Sequence, residues 1–176
     1  MIIIAWGLFA TGALLVLWIA VRSHRLDKVS ITELPRLLRP MDLEAFLNLV
    51  DPAEDEFLAR ELQSDQLSRI RKERLRAVLE YLGRARYNAA ILLRLGEAAQ
   101  RSSDGELAVH GGQLVSAALR FRTNAMLLTL KTYAALLAGG SPVEIGAFRE
   151  RYGELKNAFQ AMSPTTIQRA PVMAGF

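Results

Sequence analysis

The sequence predicts an all-α protein, with one N-terminal transmembrane helix followed by a cytoplasmic helical bundle built on a long antiparallel helix hairpin. Three observations lead to this prediction. Residues 2–21 contain no charged side chain. Two later segments, about 65–101 and about 104–138, repeat apolar and small residues at 3-4 spacing, which is the spacing of a helix face. A short turn sequence joins these two segments, so they are expected to form a hairpin.

The composition limits the function classes that need to be considered. The chain has 176 residues, of which 51% are hydrophobic and 23% are charged, so it is large enough for one folded domain. It contains no Cys and only two His, which excludes thiol catalysis, iron–sulfur clusters and the usual zinc sites. Glycine-rich loops of the kind that bind phosphates are also missing from the sequence. We therefore predict a non-catalytic protein with no metal site and no cofactor.

The uncharged run 2–21 is predicted to be a membrane anchor. Twenty helical residues rise about 30 Å, which matches the hydrocarbon thickness of a bilayer. Trp6 and Trp18 lie towards the two ends of the run, where indole rings favour the membrane interface. A cleaved signal peptide requires a basic region before the apolar run and a small-residue cleavage site after it, and neither is found here. The lipid bilayer is thus the first expected partner.

The basic residues that follow the run predict its orientation. Arg22, Arg25 and Lys28 come directly after it, whereas no Lys or Arg precedes it. By the positive-inside rule, the N-terminus then lies outside the cell membrane and the rest of this single-pass chain is cytoplasmic. These three side chains are also expected to face anionic lipid headgroups.

Residues 22–50 are predicted to form short juxtamembrane helices, because Pro35 and Pro40 prevent one long helix. The segment from Met41 to Val50 carries an apolar stripe on one side and contains acidic rather than basic residues. This composition favours docking on protein over docking on the membrane.

A helical bundle is predicted over residues 51–162. Asp51 followed by Pro52 is typical of a helix start. The acidic residues that follow are explained by the positive N-terminal end of the helix dipole. A carboxylate metal site in a helical bundle would need Glu-x-x-His pairs, which neither His supplies.

The two long helices are predicted to meet along a line of small residues. Near the turn, these are Ala89 and Gly96 in the first helix and Gly111 and Ala118 in the second. Antiparallel pairing about Ser103 places Gly96 opposite Gly111 and Ala89 opposite Ala118. Because small side chains let helix backbones approach closely, the shortest interhelical distance is expected there.

A second apolar stripe on the second hairpin helix needs another partner. It consists of Val115, Leu119, Met126, Leu130, Tyr133 and Leu137. A third helix, at about 142–162, is the expected partner. Residues 163–176 form an aperiodic tail whose apolar residues are candidate contacts to other proteins, namely Ile167, Val172, Met173 and Phe176.

These features predict a scaffold rather than an enzyme. The leading hypothesis is an accessory subunit that stabilises a larger membrane complex, for example a respiratory or photosynthetic assembly, so that other subunits of the complex are its partners. The first alternative is a membrane-tethered signalling or regulatory module, and the second is a ligand-binding helical bundle. Nucleic acid is not an expected partner, because the basic residues between Arg69 and Arg84 alternate with Glu73 and Glu80.

Overall fold

A computed structural model describes residues 33–140 and 143–162 of the chain, and this part is all-helical. The helices are a 3-10 helix at Leu34–Leu37, α1 at Leu43–Leu49, α2 at Pro52–Glu61, α3 at Ser64–Gln100, α4 at Gly105–Leu137 and α5 at Phe148–Met162. The predicted all-helical fold and the long packed helix pair, α3 and α4, are confirmed.

Within this part of the chain, none of the helices combines the length and the apolar composition that crossing a bilayer requires. The predicted anchor at 2–21 and its orientation lie outside the described residues.

The turn between α3 and α4 is held by an N-cap. The Asp104 side chain accepts hydrogen bonds from the backbone N–H groups of Glu106 and Leu107, at 3.0 and 3.3 Å. These bonds satisfy two of the donors that a helix leaves unpaired at its start. With 37 and 33 residues, the two helices form a hairpin about 50 Å long.

The two hairpin helices touch through backbone atoms near the turn. A β-carbon placed on Gly96 would lie 2.9 Å from the carbonyl oxygen of Gly111. One placed on Gly111 would lie 2.7 Å from the backbone nitrogen of Gln100. Ala89 and Ala118 are both fully buried, and their direct pairing stays a prediction.

Two glycines end the hairpin. Gly139 and Gly140 have φ angles of +90° and +99°, a backbone conformation that residues with a side chain rarely adopt. The Gly140 N–H donates to the carbonyl oxygen of Ala135 at 2.9 Å, which satisfies a carbonyl at the end of α4.

The third helix starts later than the sequence predicts. Residues 143–147 are not helical, and α5 begins at Phe148 instead of at about 142. Gly146 has a φ of +48°, in the left-handed region, so the right-handed helix is interrupted before Phe148.

The bundle also begins earlier than predicted. Leu34, Leu38, Met41 and Phe46 are at most 3% exposed, and both the 3-10 helix and α1 contact α3. The described part of the segment 22–50 therefore belongs to the bundle core instead of forming a separate juxtamembrane stretch. The reason is that Phe46 packs between Tyr81 of α3 and Phe148 of α5, with ring centroids at 5.8 and 4.7 Å.

A cluster of aromatic rings decides where α5 packs. The ring centroid of Phe148 lies 4.7 Å from that of Phe46 and 5.1 Å from that of Phe121. Tyr152 lies 5.9 Å from Phe121 by the same measure. Helix α5 thus covers the side of α4 that carries Phe121. The prediction that it covers the second apolar stripe is wrong for the positions that remain exposed, including Leu119 and Leu137.

Candidate partner-binding surface

The second apolar stripe of α4 forms an exposed seam along the hairpin. Leu119 is 48% exposed, Leu130 44%, Tyr133 54% and Leu137 91%. The other members of the stripe are half-buried. We define the exposed seam as Val115, Leu119, Arg122, Met126, Leu130, Tyr133 and Leu137. From the first to the last residue it runs for about 33 Å along the helix.

The exposed seam stays open because α4 is covered on its other sides. Ala118 and Ala125 are buried in the hairpin, and Phe121 is buried beneath the rings of α5. The uncovered side of α4 carries polar residues such as Gln113, Ser116 and Thr123, as in an ordinary surface helix, but it also carries exposed leucines. This row of exposed apolar side chains makes the side of α4 a candidate interaction surface.

After Glu106, the charged residues of α4 are all basic. From Leu107 to Val143 the sequence contains no Asp or Glu, while α4 carries Arg120, Arg122 and Lys131. Arg120 has a partner on α5, with its Nε 3.4 Å from a carboxylate oxygen of Glu154. Among the described residues, no carboxylate pairs with Arg122. The exposed seam is therefore apolar with a basic residue within it.

The packing of α5 is reinforced by the same Glu154. Arg151 donates two hydrogen bonds to the Glu154 carboxylate, at 2.9 and 3.0 Å. The hydrogen bond from Arg151 is the main reason why the pKa of Glu154 lies below its ordinary value, and the charge of Arg120 adds to this. Of these contacts, the Arg120–Glu154 pair joins α5 to α4, while the Arg151–Glu154 hydrogen bonds lie within α5.

Polar residues on the buried side of α4 bond within the helix. The hydroxyl groups of Thr129 and Thr132 donate to the carbonyl oxygens of Ala125 and Leu128, at 2.7 and 2.8 Å. Because their hydrogen bonds are internal, these hydroxyl groups need no partner from another helix. They do not form a site.

A cavity of about 190 Å³ lies at the other end of the hairpin, where α1, α2 and α3 meet. The Arg71 guanidinium donates two hydrogen bonds to the Asp55 carboxylate, at 2.9 and 2.6 Å. This hydrogen bonding raises the pKa of Arg71. Arg74 donates to the last carbonyl oxygens of α1, those of Asn48 and Leu49. Both arginines hold α1 and α2 on α3, so their role here is structural.

The described residues contain no group of three His, Cys, Asp or Glu side chains arranged to hold a metal ion. His110 lies at the hairpin surface, where its ring nitrogen atoms are 3.3 Å from the Gln113 side chain and 3.8 Å from Glu106.

The residues singled out from the sequence fall into two groups. Ala89, Gly96, Gly111 and Ala118 are buried between the hairpin helices. The membrane-interface residues and the tail residues lie outside the described part of the chain, namely Trp6, Trp18, Arg22, Arg25, Lys28, Ile167, Val172, Met173 and Phe176.

One feature of the core was not predicted from the sequence. Asn88 is 2% exposed in α3 and bonds to the backbone of Arg39, while the Arg39 guanidinium lies 4.2 Å from the centre of the Tyr87 ring. A polar amide at a helix position surrounded by apolar residues was the available sign, because buried polar groups are almost always hydrogen-bonded.

Comparisons with protein-family models, with curated proteins and with solved structures found no match to this chain.

Proposed function

We propose that this chain is a non-catalytic, single-pass membrane protein whose helical bundle stabilises a larger membrane complex as an accessory subunit. The observation that carries the proposal is the exposed seam on α4. Its leucines lie on a long helix that α3 and α5 hold from two sides, so the apolar surface is presented on a firm support. Such a surface serves binding, and it needs no chemistry from the chain.

The membrane part of the proposal comes from the sequence. The uncharged run 2–21 has the length of a membrane span, and Arg22, Arg25 and Lys28 follow it. With this orientation the bundle is cytoplasmic and belongs to a membrane-anchored chain. Partners that are themselves membrane proteins would then be within its reach.

Co-purification tests this function. The tagged full chain is extracted from its own membranes in mild detergent, and stoichiometric partners are identified by mass spectrometry. We expect Leu130→Glu to abolish co-purification, because the charge enters the middle of the exposed seam. Leu127→Glu is the matched control, since Leu127 is 55% exposed on the same helix but is not part of the exposed seam.

Circular dichroism accompanies this test and should show equal helix content in both variants. The proposal is wrong if no stoichiometric partner is found, or if the two substitutions weaken co-purification equally.

A further inference from the structure

Helix α2 lies on the outside of the bundle and has no buried residue. Of its ten residues, only Asp55 and Leu58 are half-buried and all the others are exposed. Its aromatic residue, Phe57, is 58% exposed. Each of the other described helices contributes at least one buried side chain. Segments with few buried apolar contacts open at a lower free-energy cost than the core, so α2 is the described helix that detaches most readily.

Two neighbouring ion pairs join α2 to α3. The Arg71 guanidinium lies 2.6 Å from a carboxylate oxygen of Asp55, and Arg74 Nη2 lies 3.2 Å from a carboxylate oxygen of Glu54. The Arg71 and Asp55 side chains are only 26% and 15% exposed, so this pair is screened less than a pair on the surface. Breaking the two pairs therefore removes the charged contacts that hold α2 against α3.

The backbone is extended on both sides of α2. The ψ angle is 119° at Asp51, 149° at Leu62 and 154° at Gln63. Because of these interruptions, α2 is not continuous with α1 or α3 and can move without bending either of them. Helix α1 keeps its own attachment, since Phe46 is buried and Arg74 donates to the last carbonyl oxygens of α1.

We infer that α2 is a lid over the cavity at this end of the hairpin. It opens as a unit when its ion pairs to α3 break, while α1, the hairpin and α5 stay packed. Pro52 and Asp55 of α2 form part of the cavity wall, and Leu49, Val50 and Leu75 form its apolar side. Opening of the lid therefore gives access to apolar surface that the closed bundle covers.

Hydrogen–deuterium exchange of the full chain in detergent tests whether α2 opens by itself. Peptides from 52–61 are compared with peptides from 114–128, a stretch of α4 that contains buried residues. Relative to unstructured chain, the amides of α2 should exchange at least about a hundredfold faster than the slowest amides of 114–128, because they require only a local opening. Equal protection of the two stretches would mean that α2 opens only when the whole bundle unfolds, which overturns the inference.

Removing either charge of the Arg71–Asp55 pair should favour the open lid. We expect Asp55→Asn and Arg71→Gln each to speed the exchange of α2 about fivefold and to leave 114–128 unchanged. The double variant should exchange no faster than the single variants, because both substitutions remove the same pair. Arg71 lies in α3, so its effect on α2 cannot come from a change in the helix propensity of α2.

Glu56→Gln is the matched control. Glu56 is next to Asp55, but its ion-pair partner is Arg60 of the same helix, and both side chains of that pair are 73% exposed. This substitution should leave the exchange of α2 within about twofold of the parent. Three results would contradict a separate lid: the same acceleration in Glu56→Gln as in Asp55→Asn, no acceleration in either variant of the Arg71–Asp55 pair, or an equal acceleration in α2 and in 114–128.

Thiol labelling tests whether the opening uncovers the cavity wall. The chain has no Cys, so one introduced thiol is the only target. Leu75→Cys places it in the cavity wall, and Ala85→Cys places it at a buried position of α3 outside the cavity. Adding Asp55→Asn should speed labelling about fivefold at position 75 and leave position 85 unchanged. Equal acceleration at both positions, or none at position 75, would show that α2 does not act as a lid over this cavity.

Discussion

Asn88 holds the backbone of Arg39 through both ends of its amide. The Arg39 N–H donates to Asn88 Oδ1 at 2.9 Å, and Asn88 Nδ2 donates to the Arg39 carbonyl oxygen at 2.7 Å. One side chain of α3 thus replaces the pair of hydrogen bonds that a neighbouring strand would make. This contact attaches the segment between the 3-10 helix and α1 to the hairpin.

Asn88→Ala is expected to lower the free energy of unfolding by about 1–2 kcal/mol, because both polar groups of Arg39 lose their partner. Asn157→Ala is the control, since Asn157 is exposed on α5. Chemical denaturation of the full chain in detergent, followed by circular dichroism, measures both. Equal stability of the two variants would contradict this role of Asn88.

Replacement by alanine is expected to change stability in opposite directions at two glycines of the hairpin. Gly111→Ala puts a β-carbon 2.7 Å from the backbone of Gln100, so we expect a loss of stability. Its magnitude should be about 1–3 kcal/mol, as for other overpacked contacts. At Gly83 no atom lies within 4 Å of the added carbon, and Gly83→Ala should raise stability by about 0.5–1 kcal/mol.

Thermal unfolding of these two variants and of the parent protein measures both stability changes. If Gly111→Ala is as stable as Gly83→Ala, the close backbone contact between α3 and α4 is wrong.

Arg74 is expected to contribute more to the stability of the bundle than its neighbour Arg76 does. Its Nε and Nη2 atoms donate to the carbonyl oxygens of Leu49 and Asn48, at 3.1 and 2.8 Å, and so complete the end of α1. Arg74→Ala should cost about 1–3 kcal/mol of stability, because these bonds carry a charge. Arg76→Ala, at an exposed position, should leave the stability nearly unchanged. Limited proteolysis near α1 should increase only in the Arg74→Ala variant.

Tyr152 is expected to limit stability in alkaline solution. Burial raises its pKa from the ordinary value of 10.0 to about 12, because the charged phenolate is disfavoured inside the protein. Its stabilising contribution is therefore complete below pH 10 and decreases as the pH rises towards 12. Tyr152→Phe should lose less stability than the parent in this range.

Melting temperatures at about pH 9 and about pH 11.5 measure this difference. Tyr133→Phe, a change at a half-exposed ring, should behave like the parent. If the melting temperature falls equally in the parent and in Tyr152→Phe between these pH values, the predicted role of Tyr152 is wrong.

The helices could be predicted because their causes are local. The cap at Asp104, the glycines that end α4 and the 3-4 spacing of the hairpin all act over a few residues. The pairing of α5 could not be predicted in the same way, because α4 has apolar residues on more than one side. Periodicity alone does not distinguish between these sides.

The exposed seam shows the same difference between local and tertiary causes. The second apolar stripe of α4 could be predicted, since helix geometry alone places Leu119, Leu130 and Leu137 on one side. Its exposure depends on how the helices pack and could not be predicted from the spacing. The side chains that decided it are Phe46 and Phe148, which come from distant parts of the chain and meet over Phe121. Their burial draws α5 to that side of α4, and a single short helix cannot cover both sides.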